Sequence, residues 1–179
     1  HYLLSRLWEP NELPDNGVIL KTIPSSALCR KIAASYGVHT MNTMPGFHHI
    51  SEKKREIHRS GDDTFLFGFT GSGSYSFGNM MMHADGIQTC LLLCEMASYY
   101  QARGKTLYEV LRSIYRQFGY YKEDLISLSL SGPDEYERMK KLMEDSQLSK
   151  KTFWGGRKLL AISDYKQGVR IDQITGKKQ

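Results

Sequence analysis

The chain has 179 residues, 40% of them hydrophobic and 11% aromatic, which is enough for one packed domain, or one domain and part of a second, and too apolar for a disordered segment. No apolar run approaches the roughly 18 residues of a membrane-spanning helix, the longest being Cys90–Cys94. The net charge of +5 is uneven: residues 150–179 carry eight Lys and Arg against Asp164 and Asp172, a local +6, and the remainder sums to −1. A uniformly basic nucleic-acid binder is thereby excluded, and the basic end reads as a solvated segment.

Tyr2–Trp8 has the spacing of the last turns of a helix whose beginning lies upstream. Pro10, Pro14, Asp15, Asn16 and Gly17 make a loop, and Val18–Leu20 is a short buried strand. Pro24-Ser25-Ser26 opens a helix that either serine can cap by accepting from first-turn N–H groups. Ala27, Leu28, Ile32, Ala33 and Tyr36 form its stripe, and Gly37 ends it with a left-handed residue. Val38–Thr40 is a second strand. After the Pro45-Gly46 turn a charged helix runs through Glu52-Lys53-Lys54-Arg55-Glu56, with Ile50, Ile57 and one of Lys53 or Lys54 setting its faces, and Gly61 closes it. Thr64–Phe69 is a third strand, whose Gly/Ser turn feeds the next helix. Asp85 caps that helix, Gly86–Ala102; Gly104 breaks it, and Thr106 caps another that reaches Phe118, with Gly119 behind. The alternation predicts an α/β fold: a three-layer α/β/α domain with a largely parallel sheet.

From Tyr120 the pattern changes. Leu125–Leu130 alternates as a half-exposed strand. Gly132-Pro133-Asp134 opens a helix with Tyr136, Met139, Lys140, Leu142 and Met143 on its stripe, and Leu159, Leu160 and Ile162 make one more strand. These are the opening elements of a partial α+β unit. The boundary falls near Gly119–Glu123, dividing the chain into 1–121 and 122–179.

The first residues, His1-Tyr2-Leu3-Leu4-Ser5-Arg6, lack the basic and apolar regions of a signal peptide. With no initiator Met, the sequence is expected to begin inside a longer chain or after processing. Three cysteines, an odd number, fit a reduced, cytoplasmic protein. Cys90 and Cys94 read as two small buried hydrophobes rather than metal ligands, since no further ligand stands at metal-binding spacing.

Phe65–Gly78, F-L-F-G-F-T-G-S-G-S-Y-S-F-G, is the most informative stretch of the chain. A buried strand that ends in a Gly/Ser loop is where α/β proteins place ligands. Gly68, Gly71 and Gly73 allow successive backbone N–H groups to surround an anion, although the G-K-[ST] ending of a nucleoside-triphosphate loop is absent.

Several runs together resemble the α-D-phosphohexomutases, the family of phosphoglucomutase and phosphomannomutase. They are V-I-L-K-T-I (Val18–Ile23), M-P-G-F (Met44–Phe47), F-L-F-G-F (Phe65–Phe69), D-G-I-Q (Asp85–Gln88), L-L-L-C-E-M-A-S-Y-Y (Leu91–Tyr100), G-K-T-L (Gly104–Leu107) and F-G-Y-Y-K-E (Phe118–Glu123). The likeness extends to about Asp164 and corresponds to the third of the family's four domains plus the start of the fourth. It implies phosphoryl transfer between the 1- and 6-hydroxyls of a hexose, an isomerase reaction by intramolecular phosphotransfer. A phosphoserine in domain I donates the group, Mg²⁺ on three Asp of domain II offsets charge, and Mg²⁺ and hexose 1,6-bisphosphate are the full enzyme's cofactors. Domain III reads the sugar, and a basic loop of domain IV grips the other phosphate.

Carried onto this sequence, the family's G-F-E-x-S sugar loop falls on Gly68, Phe69, Thr70, Gly71 and Ser72. Thr70 stands where a Glu accepts from sugar hydroxyls; Ser72 keeps the family's residue type, as a sugar contact or as a loop-stabilising hydroxyl. The second contact loop falls on Gly46, Phe47 and His48. His48 replaces a Lys and reads as a weak sugar or phosphate contact or as a surface residue. Adjacent side chains commonly diverge, so His48 and His49 are not expected to pair on a metal. Met82-His83-Ala84-Asp85 replaces R-D-K-D, and Asp85 reads as a helix cap rather than a catalytic acid.

The substrate-binding expectation is therefore Gly46, His48, Thr70, Gly71 and Ser72, with no catalytic residue and no metal ligand. The phosphoserine loop, the D-x-D-x-D-R metal motif and the R-P-S-G-T-E-P-type phosphate loop have no match. The expected partners are a hexose phosphate and mutase domains I, II and the rest of IV, with no nucleic acid or membrane. The 179 residues alone are expected to be inactive and to bind neither cofactor. The competing reading is a non-catalytic module that binds a sugar phosphate or another protein.

Overall fold

The computed structural model describes residues 1–123, 129–148, 153–154, 156–165 and 168–177. The chain separates into two compact units, His1–Asp124 and Leu125–Gln179. In the first, α1 (Tyr2–Trp8), β1 (Gly17–Thr22), α2 (Leu28–Ser35), β2 (His39–Thr43), α3 (Phe47–Ser60), β3 (Thr64–Phe69), β4 (Tyr75–Phe77), α4 (Gly86–Gln101) and α5 (Leu107–Phe118) follow in order. The sheet order is β2-β1-β3-β4; β1 runs parallel to β2 and β3, and β4 is an antiparallel edge strand.

Every residue of β1 is buried, because both faces of this central strand are covered. Ile19 points to one layer, packing with Leu4 of α1, Ile32 and Ala33 of α2, and Leu66. Val18 and Leu20 point to the other, packing with Ile50 and Ile57 of α3 and with Phe65. The chain leaves β1 toward β2 and then returns past it to β3, so connections of one hand put α2 and α3 on opposite faces. The result is the expected α/β/α layering with a mostly parallel sheet.

Local differences have identifiable causes. The turn after β3 does not feed a helix directly: Tyr75-Ser76-Phe77 alternates and pairs back on Phe67–Phe69 as a hairpin. Helix α2 starts at Leu28, later than the serines suggest, because the Ser25 hydroxyl is 2.6 Å from that of Thr22 and only Ser26 reaches the first turn, accepting from the Leu28 N–H. Cys90 and Cys94 are exposed, which corrects their reading as buried hydrophobes. Helix α4 is apolar on more than one side; Leu92, Met96, Tyr99 and Tyr100 take the inward face beside Tyr2 and Val110.

The caps of α4 and α5 are as the sequence predicts. Asp85 accepts from the N–H groups of Ile87 and Gln88, and Thr106 with Glu109 completes a capping box. Replacing Asp85 with alanine leaves two first-turn donors to water alone. It is expected to cost about 1 kcal/mol of first-unit stability, read by chemical denaturation.

In the second unit, α6 (Glu135–Leu148) is followed by two antiparallel pairs, β5 (Phe153–Trp154) with β6 (Arg157–Lys158) and β7 (Ala161–Asp164) with β8 (Val169–Asp172). Strand β7 starts after Leu159 and Leu160 rather than including them. The expected strand over Leu125–Leu130 lies mostly outside the described residues. No described helix is long and apolar enough to cross a membrane.

Candidate functional site

Three connections leave the carboxyl ends of the parallel strands: residues 23–27 after β1, 44–46 after β2 and 70–74 after β3. Since β1 lies between the other two, the loops holding the expected site residues stand roughly 10 Å apart, two strand spacings. Both therefore occupy the sheet edge at which open α/β sheets receive ligands.

The 70–74 loop is held by its own hydroxyls. Thr70 is buried, and its Oγ1 accepts from the Ser74 N–H at 3.1 Å and lies 2.9 Å from the Ser72 hydroxyl. The Thr70 N–H donates to the Ser74 carbonyl at 3.0 Å, and Gly73 adopts φ +86°, a conformation that favours glycine. Thr70, expected from the resemblance to stand in place of a sugar-reading Glu, closes the turn. Gly71 and Ser72 are exposed on the loop.

A neighbouring network joins this loop to the one after β1. The Gly71 N–H donates to Thr22 Oγ1 at 3.4 Å, and the Thr22 and Ser25 hydroxyls lie 2.6 Å apart. The Lys21 ammonium donates to the carbonyls of Thr22 (3.1 Å) and Ser25 (2.7 Å), gathering the turn around itself. Burial pushes the Lys21 amine below the usual lysine range. These residues were not foreseen as part of the site. The available signal was a Lys-Thr pair closing an otherwise apolar strand, where a charged residue must find internal acceptors.

At the second loop Gly46 takes φ +111°, and a Cβ there would lie 2.7 Å from His48 Cε1. The imidazole is thus folded back over the glycine. The rings of His48 and His49 do not diverge: their centroids are 3.9 Å apart. His49 Nδ1 lies 3.3 Å from Glu52 Oε2. Among the described residues no group of three or more His, Cys, Asp or Glu has the arrangement to hold a metal.

The fold and this edge define a class, α/β/α domains that offer loop backbone and short polar side chains at the carboxyl ends of parallel strands. The chain belongs to the phosphoglucomutase/phosphomannomutase family: the model of its alpha/beta/alpha domain III matches residues 1–118. The phosphoglucomutase of Staphylococcus haemolyticus (strain JCSC1435) is 28% identical over 165 residues, covering 91% of this chain and 29% of its own length. The glucose 1,6-bisphosphate synthase of Mus musculus is 27% identical over 169 residues, covering 92% of this chain and 27% of its own. A crystal structure assigned as a phosphomannomutase, from Thermus thermophilus, superposes with a TM-score of 0.51 at 25% identity over 65% of this chain and 25% of that one. The chain spans less than a third of the length of these relatives.

Proposed function

We propose that this chain supplies the sugar-recognition part of a phosphohexomutase that interconverts hexose 1-phosphate and hexose 6-phosphate. Residues 1–121 act as domain III, and 122–179 form the beginning of domain IV. The observation that carries the reading is the placement of Gly46–His48 and Gly71–Ser72 at one sheet edge, where a ligand can meet both. Ser72 and His48 are the side chains offered to it, and the exposed Gly71 backbone lies beside them. Thr70 acts by shaping the turn, so its contribution to sugar contact is indirect.

The outer face of α4 supports a domain that packs against others. Ile87 is 79% exposed and Leu91 68% exposed, with Cys90 and Cys94 exposed on the same side. These positions are spaced as one helical stripe. An apolar stripe of this kind suits a surface covered by further mutase domains better than the polar face of a stand-alone module. On this reading the phosphoserine and Mg²⁺ reside on those other domains, and hexose 1,6-bisphosphate is a cofactor of the complete enzyme. The part played by the present residues is to bind and orient the hexose.

The reading is tested by amide NMR of the chain titrated with glucose 6-phosphate. Selective shifts at Gly46–His48 and Gly71–Ser72 are expected, with weakened binding in Ser72→Ala. Shifts confined to other surfaces, or no shifts at saturating ligand, would overturn the site. In a coupled assay with glucose 1-phosphate, glucose 1,6-bisphosphate and Mg²⁺, the isolated chain is expected to give no turnover above a protein-free control. Clear turnover would refute the division of labour.

A further inference from the structure

We propose that Lys54 is a positioning residue whose buried ammonium fastens the segment between β4 and α4 to helix α3, fixing that segment relative to the edge on which hexose phosphate binds. The functional half of this statement rests on the reading above; the mechanical half does not.

Lys54 lies in the middle of α3 and is 1% exposed. Its Nζ donates to Ser76 Oγ at 3.2 Å, to the Gly78 carbonyl at 2.6 Å and to the Met81 carbonyl at 2.7 Å. An ammonium has three donors, and these three acceptors use them all. The same nitrogen stands 4.3 Å from the centroid of the Phe65 ring, whose face offers further partial negative charge. One turn earlier on the helix, Ser51 is fully buried, with Oγ 3.4 Å from His83 Nδ1. Through Lys54, helix α3 therefore grips the segment at Gly78 and Met81 and the adjoining strand β4 at Ser76, and through Ser51 it reaches His83.

The segment does little to hold itself. Met80 is 84% exposed, and Met81 is exposed as well, so burial of its own side chains contributes little. Its ends return to the hairpin: the Gly78 N–H donates to the Leu66 carbonyl, and the Asp85 N–H to that of Tyr75. Tyr75 directly follows the 70–74 loop and pairs with Phe69. Helix α3 also begins immediately after Gly46 and bears His48 in its first turn. One rigid helix thus carries the His48 loop at its start and the 76–83 segment on its flank. Lys54 is the tie between them.

The three hydrogen-bond acceptors of Lys54 are uncharged, and burial lowers its pKa below the lysine norm. Burying an ammonium against neutral acceptors is costly compared with an apolar residue of similar length. Packing alone is better served by methionine at this position. What lysine adds is a directional tie to two named carbonyls, which a thioether cannot make.

The test compares Lys54→Met with wild type and with Lys53→Met, a control at an exposed neighbour that pairs with Glu56. Hydrogen exchange resolved by peptide is expected to rise about tenfold over residues 78–85 in Lys54→Met, while amides of β1 and α2 keep wild-type protection. Lys53→Met is expected to match wild type throughout. Unchanged exchange over 78–85, or a uniform rise across the unit, overturns the tie.

If Lys54→Met fails to fold, the wild-type protein still decides. A slowly exchanging Lys54 ammonium signal at pH 6, with nuclear Overhauser contacts to Gly78 and Met81, is required, and its absence refutes the proposal. Glucose 6-phosphate affinity separates the two readings. A wild type that binds and a Lys54→Met that binds about fivefold more weakly, at unchanged β1 and α2 protection, supports positioning. Equal affinity refutes the functional half. A wild type that does not bind refutes the proposed function and leaves the exchange result to judge the tie alone.

Discussion

Truncating Ile50 to alanine is expected to cost about 4 kcal/mol of first-unit stability, near the upper end for buried aliphatic deletions. Ile50 is fully buried and seats α3 on Val18, Leu20 and Phe65. Below it lies Gly68, where an added Cβ would come within 2.8 Å of Ile50 Cγ2 and 3.1 Å of the Phe65 ring. The isoleucine therefore fills the space that a side chain at 68 would otherwise take, and a glycine offers nothing to collapse into the hole. Gly68→Ala alone overpacks the same site and is expected to cost about 2 kcal/mol. Combined, the two changes should recover part of the loss, because the new methyl occupies the vacated volume. A double-mutant cycle by urea denaturation is expected to give a favourable coupling of about 1 to 3 kcal/mol. Strict additivity would show that Ile50 and Gly68 do not share this space.

The same contact explains how much of the molecule the sequence discloses. Helix α3 is legible from Ile50 and Ile57 on one stripe and from Gly61, which closes it left-handed at φ +71°. The stripe leaves Lys53 and Lys54 equivalent as candidates for its edge, and spacing alone does not choose between them. The structure chooses Lys54 because carbonyls of the 76–81 segment lie within reach, and that segment's path is fixed by a hairpin that periodicity over three residues is too short to reveal.

The site shows a similar limit. That the Gly/Ser turn stands at a carboxyl edge was readable, since a buried strand runs into it. The division of roles among Thr70, Gly71 and Ser72 was not, because a hydroxyl serves equally as ligand contact or turn closure until its partners are known. Lys21, Thr22 and Ser25 escaped notice because their partners lie around a turn and, for Thr22, in the 70–74 loop 49 residues away. The exposure of Cys90 and Cys94 was hidden for a related reason. An apolar helix reads as buried on every side, and only the position of its neighbours reveals which face is left open.

A loss of stability between pH 9 and 11 that depends on Cys29 is the other large effect expected. Cys29 lies on α2 against the core built by Leu4, Ile19 and Ile32. Burial pushes its thiol up from 9.0 to about 11, with the charge of Lys21 offsetting a little of the rise. Below pH 9 the thiol is protonated in folded and unfolded chains alike, and stability is unaffected. Above pH 9 the unfolded chain releases the proton first, so unfolding is favoured until the folded thiol also titrates near pH 11. The span corresponds to about 2 kcal/mol after allowance for the partial exposure of this residue. Lys21 and Lys54 oppose the trend: their lowered folded values make stability rise as pH approaches the usual lysine range. Tyr2 adds to the loss at higher pH, because burial and then its hydrogen bond to Glu95 raise its hydroxyl to about 12. The wild-type curve is thus a sum of opposed slopes. The comparison that isolates Cys29 is the difference between wild type and Cys29→Ala, measured by urea denaturation at half-unit steps from pH 8 to 11.5. That difference should shift steadily in favour of the variant from pH 9 and level off near 11. Parallel curves would place the ionised thiol in contact with water and remove the burial argument for this face of α2.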